Sequence, residues 1–137
     1  MTEVTLSTDP ARIDLDRVHH WLSTDTYWAR GRSREKVEAA FAGSMVVGAY
    51  AADGTQVGVA RIVTDRATFA WLCDVYVDPD HRGQGISHQL VEAVLAQTEP
   101  MGLSRIVLAT GDAHGLYERY GFEQLPGSDT WMVRGKP

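Results

Sequence analysis

The chain has 137 residues, of which 44% are hydrophobic and 23% charged, with 13 Lys and Arg against 18 Asp and Glu for a formal net charge of −5. These values place it with globular proteins and exclude the disordered, collagenous and disulfide-rich classes. The negative balance repels a phosphate backbone, so nucleic acid is not expected as a partner. The length suits one domain over residues 1–137 with its own hydrophobic core. A single cysteine, Cys73, excludes an internal disulfide, and the N-terminus lacks the basic start and apolar run of a signal peptide. No apolar run approaches the ~20 residues that cross a bilayer. A cytoplasmic protein with no membrane partner is expected.

Val4-Thr5-Leu6 reads as a short strand, and Asp9-Pro10 turns the chain toward a helix with Leu15, Val18 and Leu22 at helical spacing. A polar loop leads to Tyr27-Trp28 and the basic cluster Arg30, Arg32, Arg34 and Lys36, with Ser33 as N-cap of a second helix whose apolar face is Val37, Ala40 and Phe41. Met45 to Ala51 and Val57 to Val63 read as strands joined at Asp53-Gly54, a hairpin signal. After a turn at Arg66-Ala67, a further strand from Phe69 to Val77 stops at Asp78-Pro79, because proline lacks an amide donor.

From Gly85 to Met101, Ile86, Leu90, Val91, Val94 and Leu95 form a helical stripe that ends near Pro100 and Gly102. A strand at Ile106-Val107-Leu108 completes a parallel β-α-β crossover. Ala113, Leu116, Tyr117 and Tyr120 mark a short helix closed by Gly121, and Thr130 to Arg134 reads as a last strand. The expected fold class is α/β, a mixed, mostly antiparallel sheet of six to seven strands with helices on both faces.

Between the fourth strand and the long helix lies Arg82-Gly83-Gln84-Gly85-Ile86-Ser87. A glycine turn at a helix start suits an anion, because the first-turn amides are free and the helix dipole adds partial positive charge. A tight connection with no ligand is the competing reading of Gly-X-Gly by itself. The dinucleotide fingerprint fails at His88, where it needs a third glycine, and the P-loop pattern lacks its Gly-Lys-Ser/Thr.

The turn resembles the coenzyme A loop of the GNAT acetyltransferases, Arg/Gln-X-X-Gly-X-Gly/Ala, with Ser87 in place of the last small residue. About thirty residues on, Ala113-His114-Gly115-Leu116-Tyr117-Glu118-Arg119-Tyr120-Gly121-Phe122 resembles that family's Ala-X-X-Leu-Tyr-X-X-X-Gly-Phe segment. Thr110 stands where the family often has Asn. The resemblance covers Val4 to Arg134 and implies the GNAT fold, acetyl-CoA as cofactor and N-acetyl transfer by direct attack of an amine.

On this resemblance, Arg82, Gly83, Gln84, Gly85, Ile86 and Ser87 hold the pyrophosphate, and the backbone of Val75, Tyr76 and Val77 holds the pantetheine arm and carbonyl oxygen. Tyr117 is implied as general acid, since a phenol of pKa ~10 suits a departing thiolate; a packed core tyrosine is the alternative. Asp74 is the candidate base, with substrate binding or arginine pairing as alternatives, and His114 is a second candidate. Cys73 reads as an inert core thiol rather than a nucleophile. His19-His20 are adjacent rather than one helical turn apart, so no metal site is expected.

Tyr27, Trp28, Arg30 and Arg32 are candidates for acceptor binding, the aromatics against an amine or its hydrocarbon and the arginines toward a carboxylate; Trp71 reads as pocket wall or core. The expected acceptor is a small-molecule amine and the expected state a monomer or homodimer. A protein or peptide N-acetyltransferase and a non-catalytic acyl-CoA sensor are the alternative functions.

Overall fold

The computed structural model describes residues 3–135. Its centre is a sheet of five strands in the order β1-β2-β3-β4-β5. β1 (Val4–Ser7), β2 (Met45–Ala51), β3 (Gln56–Thr64) and β4 (Phe69–Val77) are antiparallel to one another, and β5 (Arg105–Val107) joins β4 in parallel.

Local capping starts the first two helices. α1 (Leu15–Asp25) begins where the Asp14 carboxylate accepts from the Arg17 amide at 3.1 Å, and α2 (Arg34–Ala42) where the Ser33 hydroxyl accepts from the Lys36 amide at 3.1 Å. Their buried side chains, among them Val18, Trp21, Leu22, Val37 and Phe41, pack with Val46, Val59 and Tyr76 on one face of the sheet. On the other face α3 (Ile86–Thr98) lays Leu90, Val91 and Val94 against Val47, Val57 and Ile62, and α4 (His114–Glu118) adds Tyr117. Gly58 permits this approach, since a Cβ there would stand 3.3 Å from Ala49 Cβ, Ile86 Cγ2 and Leu90 Cδ1.

Helices on both faces and the β4-α3-β5 crossover agree with expectation. The strand count does not: the sheet has five strands, not six to seven. In place of the strand expected from Thr130 to Arg134, Ser128–Thr130 is a 3₁₀ turn, and the residues after it pair with no strand among those described. Met132 is 97% exposed and Val133 69%. Apolar β-formers supply propensity, but a strand also needs a neighbour to satisfy its amides. The long helix is also shorter than expected: α3 stops at Thr98, and a 3₁₀ turn, Glu99–Met101, follows around Pro100. No helix among the described residues is long and apolar enough to cross a membrane.

One irregularity shapes β4. Val59 pairs with Tyr76 but Arg61 pairs with Cys73, so Ala60 faces two residues, and Asp74 adopts φ 52°. This is a β-bulge with an aspartate in the left-handed region, which Asp tolerates better than most residues. Before it, Ala70 and Leu72 belong to the cluster under α3; after it, Val75 and Val77 pack there while Tyr76 joins the α1–α2 cluster. The bulge thus inverts which residues face each helix layer.

Candidate active site

The parallel pairing of β4 and β5 ends at Trp71 and Val107, although β4 continues to Val77. Beyond that point the two strands part, and one edge of β4 is left open. The Asp78 amide donates to the Val57 carbonyl at 2.8 Å, on the β3 side. By strand alternation Tyr76 shares that side, and Val75 and Val77 turn their backbone groups into the gap. There Arg82 Nε donates to the Val77 carbonyl at 3.1 Å. Tyr76, expected to hold the pantetheine arm by its backbone, turns that backbone to β3 instead; its ring is buried 5.2 Å from that of Trp21 and its hydroxyl donates to Asp25 at 2.5 Å.

A cleft of about 380 Å³ runs from this edge to the glycine turn and to α4. Gly83 and Gly85 both have φ 79°, and a Cβ at either would meet no protein atom within 4 Å. Their side-chain positions therefore open on free space, and the left-handed backbone favours glycine. Gly85 caps α3 without a side-chain hydrogen bond, which leaves the first-turn amides of Ile86, Ser87 and His88 without helical partners. Ile86 contributes only its backbone here, because its side chain is in the core. Arg82 and Ser87 line the cleft, whereas Gln84 is exposed and stands outside the lining. Arg82 also reaches Asp25 at 3.3 Å and covers the Tyr76 ring at 5.2 Å.

A second cavity, of about 170 Å³, adjoins the first and shares Tyr27, Trp28, Val75, Ala113 and Tyr117 with it. Tyr117 stands at the junction, edge-on to Phe122 with ring centroids 5.8 Å apart. Among the described residues no group hydrogen-bonds its hydroxyl. Burial, and after it the nearby Asp112 carboxylate, pushes the phenol up to about 12. Thr110 Oγ1 accepts from the Ala113 amide at 3.0 Å and fixes the start of α4.

The wall opposite is built on Asp74. Its carboxylate accepts from Trp28 Nε1 at 2.9 Å, from Arg32 at 2.9 Å and from Arg61 Nε at 2.8 Å, and the residue is 3% exposed. Burial pushes its pKa up, but the Arg61 and Arg32 guanidinium groups outweigh this and hold the carboxyl below its ordinary range. Tyr27 closes the mouth, its hydroxyl accepting from the Gly111 amide at 2.7 Å. Trp71, half-exposed, walls the smaller cavity and is not core.

Arg30 is exposed and lines neither cavity, because the loop turns it outward between Ala29, which is buried, and Gly31; Arg32 also lines neither cavity, its guanidinium being taken up by Asp74. His114 lines neither of the two cavities that meet at Tyr117. Two contributors were not singled out from sequence: the Gly111 amide, which carries no residue signal, and Arg61, whose one signal is a charge within the apolar run of β3.

The acetyltransferase (GNAT) family model matches residues 15–122, and the chain belongs to this family. A GNAT-family protein of Xanthomonas campestris pv. campestris, xcc2953, superposes with a TM-score of 0.94 at 44% identity, over 100% of this chain and 96% of that one. The Gibberella zeae protein FG08082 is 28% identical over 95% of this chain and 88% of its own length. Rv2747 of Mycobacterium tuberculosis, solved in complex with CoA and NLQ, shares the fold with a TM-score of 0.74 at 20% identity, over 90% of this chain and 74% of that one.

Proposed function

We propose that the protein transfers an acetyl group from acetyl-CoA to the primary amine of a small, amino-acid-like molecule. The observation that carries this reading is the meeting of two cavities at Tyr117, one lined by the glycine turn and the other walled by Trp28, Trp71 and Asp74.

The residues present fit the cofactor. Free first-turn amides at Ile86 and Ser87, the left-handed Gly83 and Gly85 and the cation of Arg82 suit a pyrophosphate. The open edge at Val75 and Val77 suits an amide-bearing arm, which extends a sheet edge by backbone hydrogen bonds. When bound, acetyl-CoA supplies the acetyl group as a thioester. Amides of the same edge orient and polarise its carbonyl, and Tyr117 donates its phenolic proton to the departing sulfur. A phenol at about 12 is protonated throughout the physiological range and so available as an acid.

Asp74 takes a different part from the expected base. With three donors on its oxygens and a lowered pKa it is a poor proton acceptor, and we assign it to holding Trp28 in the acceptor wall, with Arg32 and Arg61 behind it. The amine then loses its proton to solvent. The Arg32–Asp74–Arg61 cluster behind the smaller cavity carries one positive charge in excess, and Asp112 lines the cavity itself, so together they suit an acceptor that bears both a carboxylate and an amine.

A screen of amines for acetyl-CoA-dependent thiol release tests the reading, with amino acids and their amides compared. The expected result is turnover with a carboxylate-bearing amine and weaker turnover with its amide. Tight CoA binding by calorimetry with no thiol release would favour the sensor. Labelling of polypeptides rather than metabolites by labelled acetyl-CoA would favour a protein acceptor.

A further inference from the structure

The smaller of the two cavities that meet at Tyr117 has two chemically different ends. At the junction, Tyr27, Trp28, Val75, Asp112, Ala113 and Tyr117 border both cavities. Beyond them the smaller one is walled chiefly by Trp71, Leu72, Leu108 and Ala109. The polar side chains at this far end are already engaged: the Asp74 carboxylate accepts from three donors, and Thr110 Oγ1 from the Ala113 amide. The far end is therefore apolar, in a cavity of about 170 Å³. An apolar cavity of about 150 Å³ admits a benzene ring. Trp28 and Trp71 are 42% and 50% exposed, and Val63, the partner of Trp71 across β3 and β4, continues the exposed apolar surface beside them. Large apolar side chains left open together mark a place where a ligand is received.

We infer that the acceptor amine carries an aromatic side chain, whose ring fills the far end against Trp28 and Trp71 while its nitrogen lies at the junction beside Asp112 and Tyr117. The inference rests on acetyl transfer as the reaction. Asp112 is the one charged side chain common to both cavities, and among the described residues no cation pairs with its carboxylate. The orientation follows from the two ends. A nitrogen at the apolar end would lose its hydration with no partner in exchange, and a ring at the junction would cover the free carboxylate. The wall is also fixed before the ligand arrives: Trp28 Nε1 donates to Asp74 at 2.9 Å, and its ring meets that of Tyr27 edge-on with centroids 5.0 Å apart. A ring held in this way loses little freedom when a second ring packs on it.

Kinetics and direct binding on the full chain test this together. Thiol release from acetyl-CoA is compared for L-phenylalanine against L-alanine and for phenylethylamine against ethylamine, pairs that differ by a phenyl ring. The aromatic member is expected to show kcat/KM about 10- to 100-fold higher. Tryptophan fluorescence of the CoA-loaded protein, which has no acetyl group to transfer, follows binding of the same four amines, and a saturable change is expected with the aromatic members at concentrations where the small ones give none. Trp71→Ala should lower the kinetic ring preference by about fivefold, and Trp71→Phe should restore most of it. Trp71 is half-exposed, so both variants are expected to keep the native far-UV circular dichroism. Equal kcat/KM within each pair, a preference for the small amine, or an unchanged ring preference in Trp71→Ala overturns the inference, as does the absence of any ring-dependent binding. Ring-selective binding with no thiol release from any amine would keep the ring site and remove acetyl transfer; thiol release indifferent to the ring would do the reverse.

Discussion

The Tyr27 hydroxyl accepts a 2.7 Å hydrogen bond from the Gly111 amide and ties the α1–α2 connection to the loop before α4, across the mouth shared by both cavities. Tyr27 is 62% exposed, so this bond and the edge contact with Trp28, rather than burial, hold the ring. Tyr27→Phe keeps the ring and removes the acceptor. A net hydrogen bond of about 0.5–1.5 kcal/mol corresponds to a rise of about 2- to 12-fold in KM. The thermal midpoint should fall by only a few degrees, since the same bond contributes that much at most to folding. Steady-state kinetics beside thermal unfolding decides; an unchanged KM would show that the bridge does not shape the mouth.

Asp74 provides a stability test that separates an anchor from a base. Its folded pKa lies below the ordinary value of 3.8, because Arg61 and Arg32 outweigh the effect of burial. A depressed carboxyl contributes stability that is fully present above its unfolded pKa and is lost as pH falls through the folded one. Asp74→Ala should therefore lower unfolding stability at neutral pH by about 3 kcal/mol, the lower end for a broken buried pair, since the orphaned arginines still reach some solvent. The difference from wild type should shrink below about pH 4. Urea unfolding measures both. A fall in kcat with wild-type stability would restore the base.

What could be read from the sequence was what local chemistry determines. Ser33 as a cap, Asp53-Gly54 as a hairpin turn and the glycine pair before α3 each act within a few residues, and each appears as expected. The Arg32–Asp74–Arg61 cluster was not legible, because it needs the bulge in β4 and the return of the α1–α2 loop onto it. Pairing of Asp74 with an arginine was open from the start, but no pattern named Arg61. Arg30 was grouped with Arg32 by proximity in sequence, and one turn of irregular loop separates their directions. Thr130 to Arg134 has the composition of a strand, but composition does not supply the neighbour that a strand needs, and no described strand pairs with it.

Tyr117→Phe removes the proposed acid and little else, since the hydroxyl has no partner among the described residues. General acid catalysis contributes about 10²- to 10⁴-fold, and kcat should fall by that order. Burial disfavours the phenolate and raises the pKa to about 12. The proton is then held well into the alkaline range, so any decline from this group in the wild-type profile should be centred at about 12. Thiol release followed across alkaline pH tests it; full activity of the phenylalanine variant would make Tyr117 a packing residue.

Gly85→Ala distinguishes a ligand cradle from a tight connection. The left-handed backbone at φ 79° costs an alanine about 1–2 kcal/mol. The new methyl meets no protein atom within 4 Å and projects into the cleft, where the pyrophosphate is proposed to lie. Affinity should therefore fall as well as stability, by roughly tenfold or more in Kd for CoA, which is about 1.4 kcal/mol or above. Calorimetry with CoA and thermal unfolding of the same variant give the two numbers. Equal Kd with reduced stability would mean that the glycine serves only the turn.

Cys73 lies beside Asp74 in the smaller cavity, and a thiol there raises the question of a covalent acyl-enzyme. Its environment argues against one. Burial lifts the thiol to about 11, with the neighbouring Asp74 carboxylate working in the same direction against Arg61 and Arg32. The thiolate is the nucleophilic form, and a pKa near 11 leaves about one thiol in a thousand ionised at pH 8. Cys73→Ala should keep kcat within about twofold, as expected for a surface or wall position with no role in the chemical step. Iodoacetamide should label the wild-type thiol slowly, and the labelling rate should rise with pH up to about 11. Loss of turnover in the alanine variant, together with an acetylated Cys73 peptide after a rapid quench, would replace direct attack by a two-step transfer. Tyr117 would then have to protonate the departing CoA sulfur in the first step and Asp74 would stand next to the acylated thiol in the second.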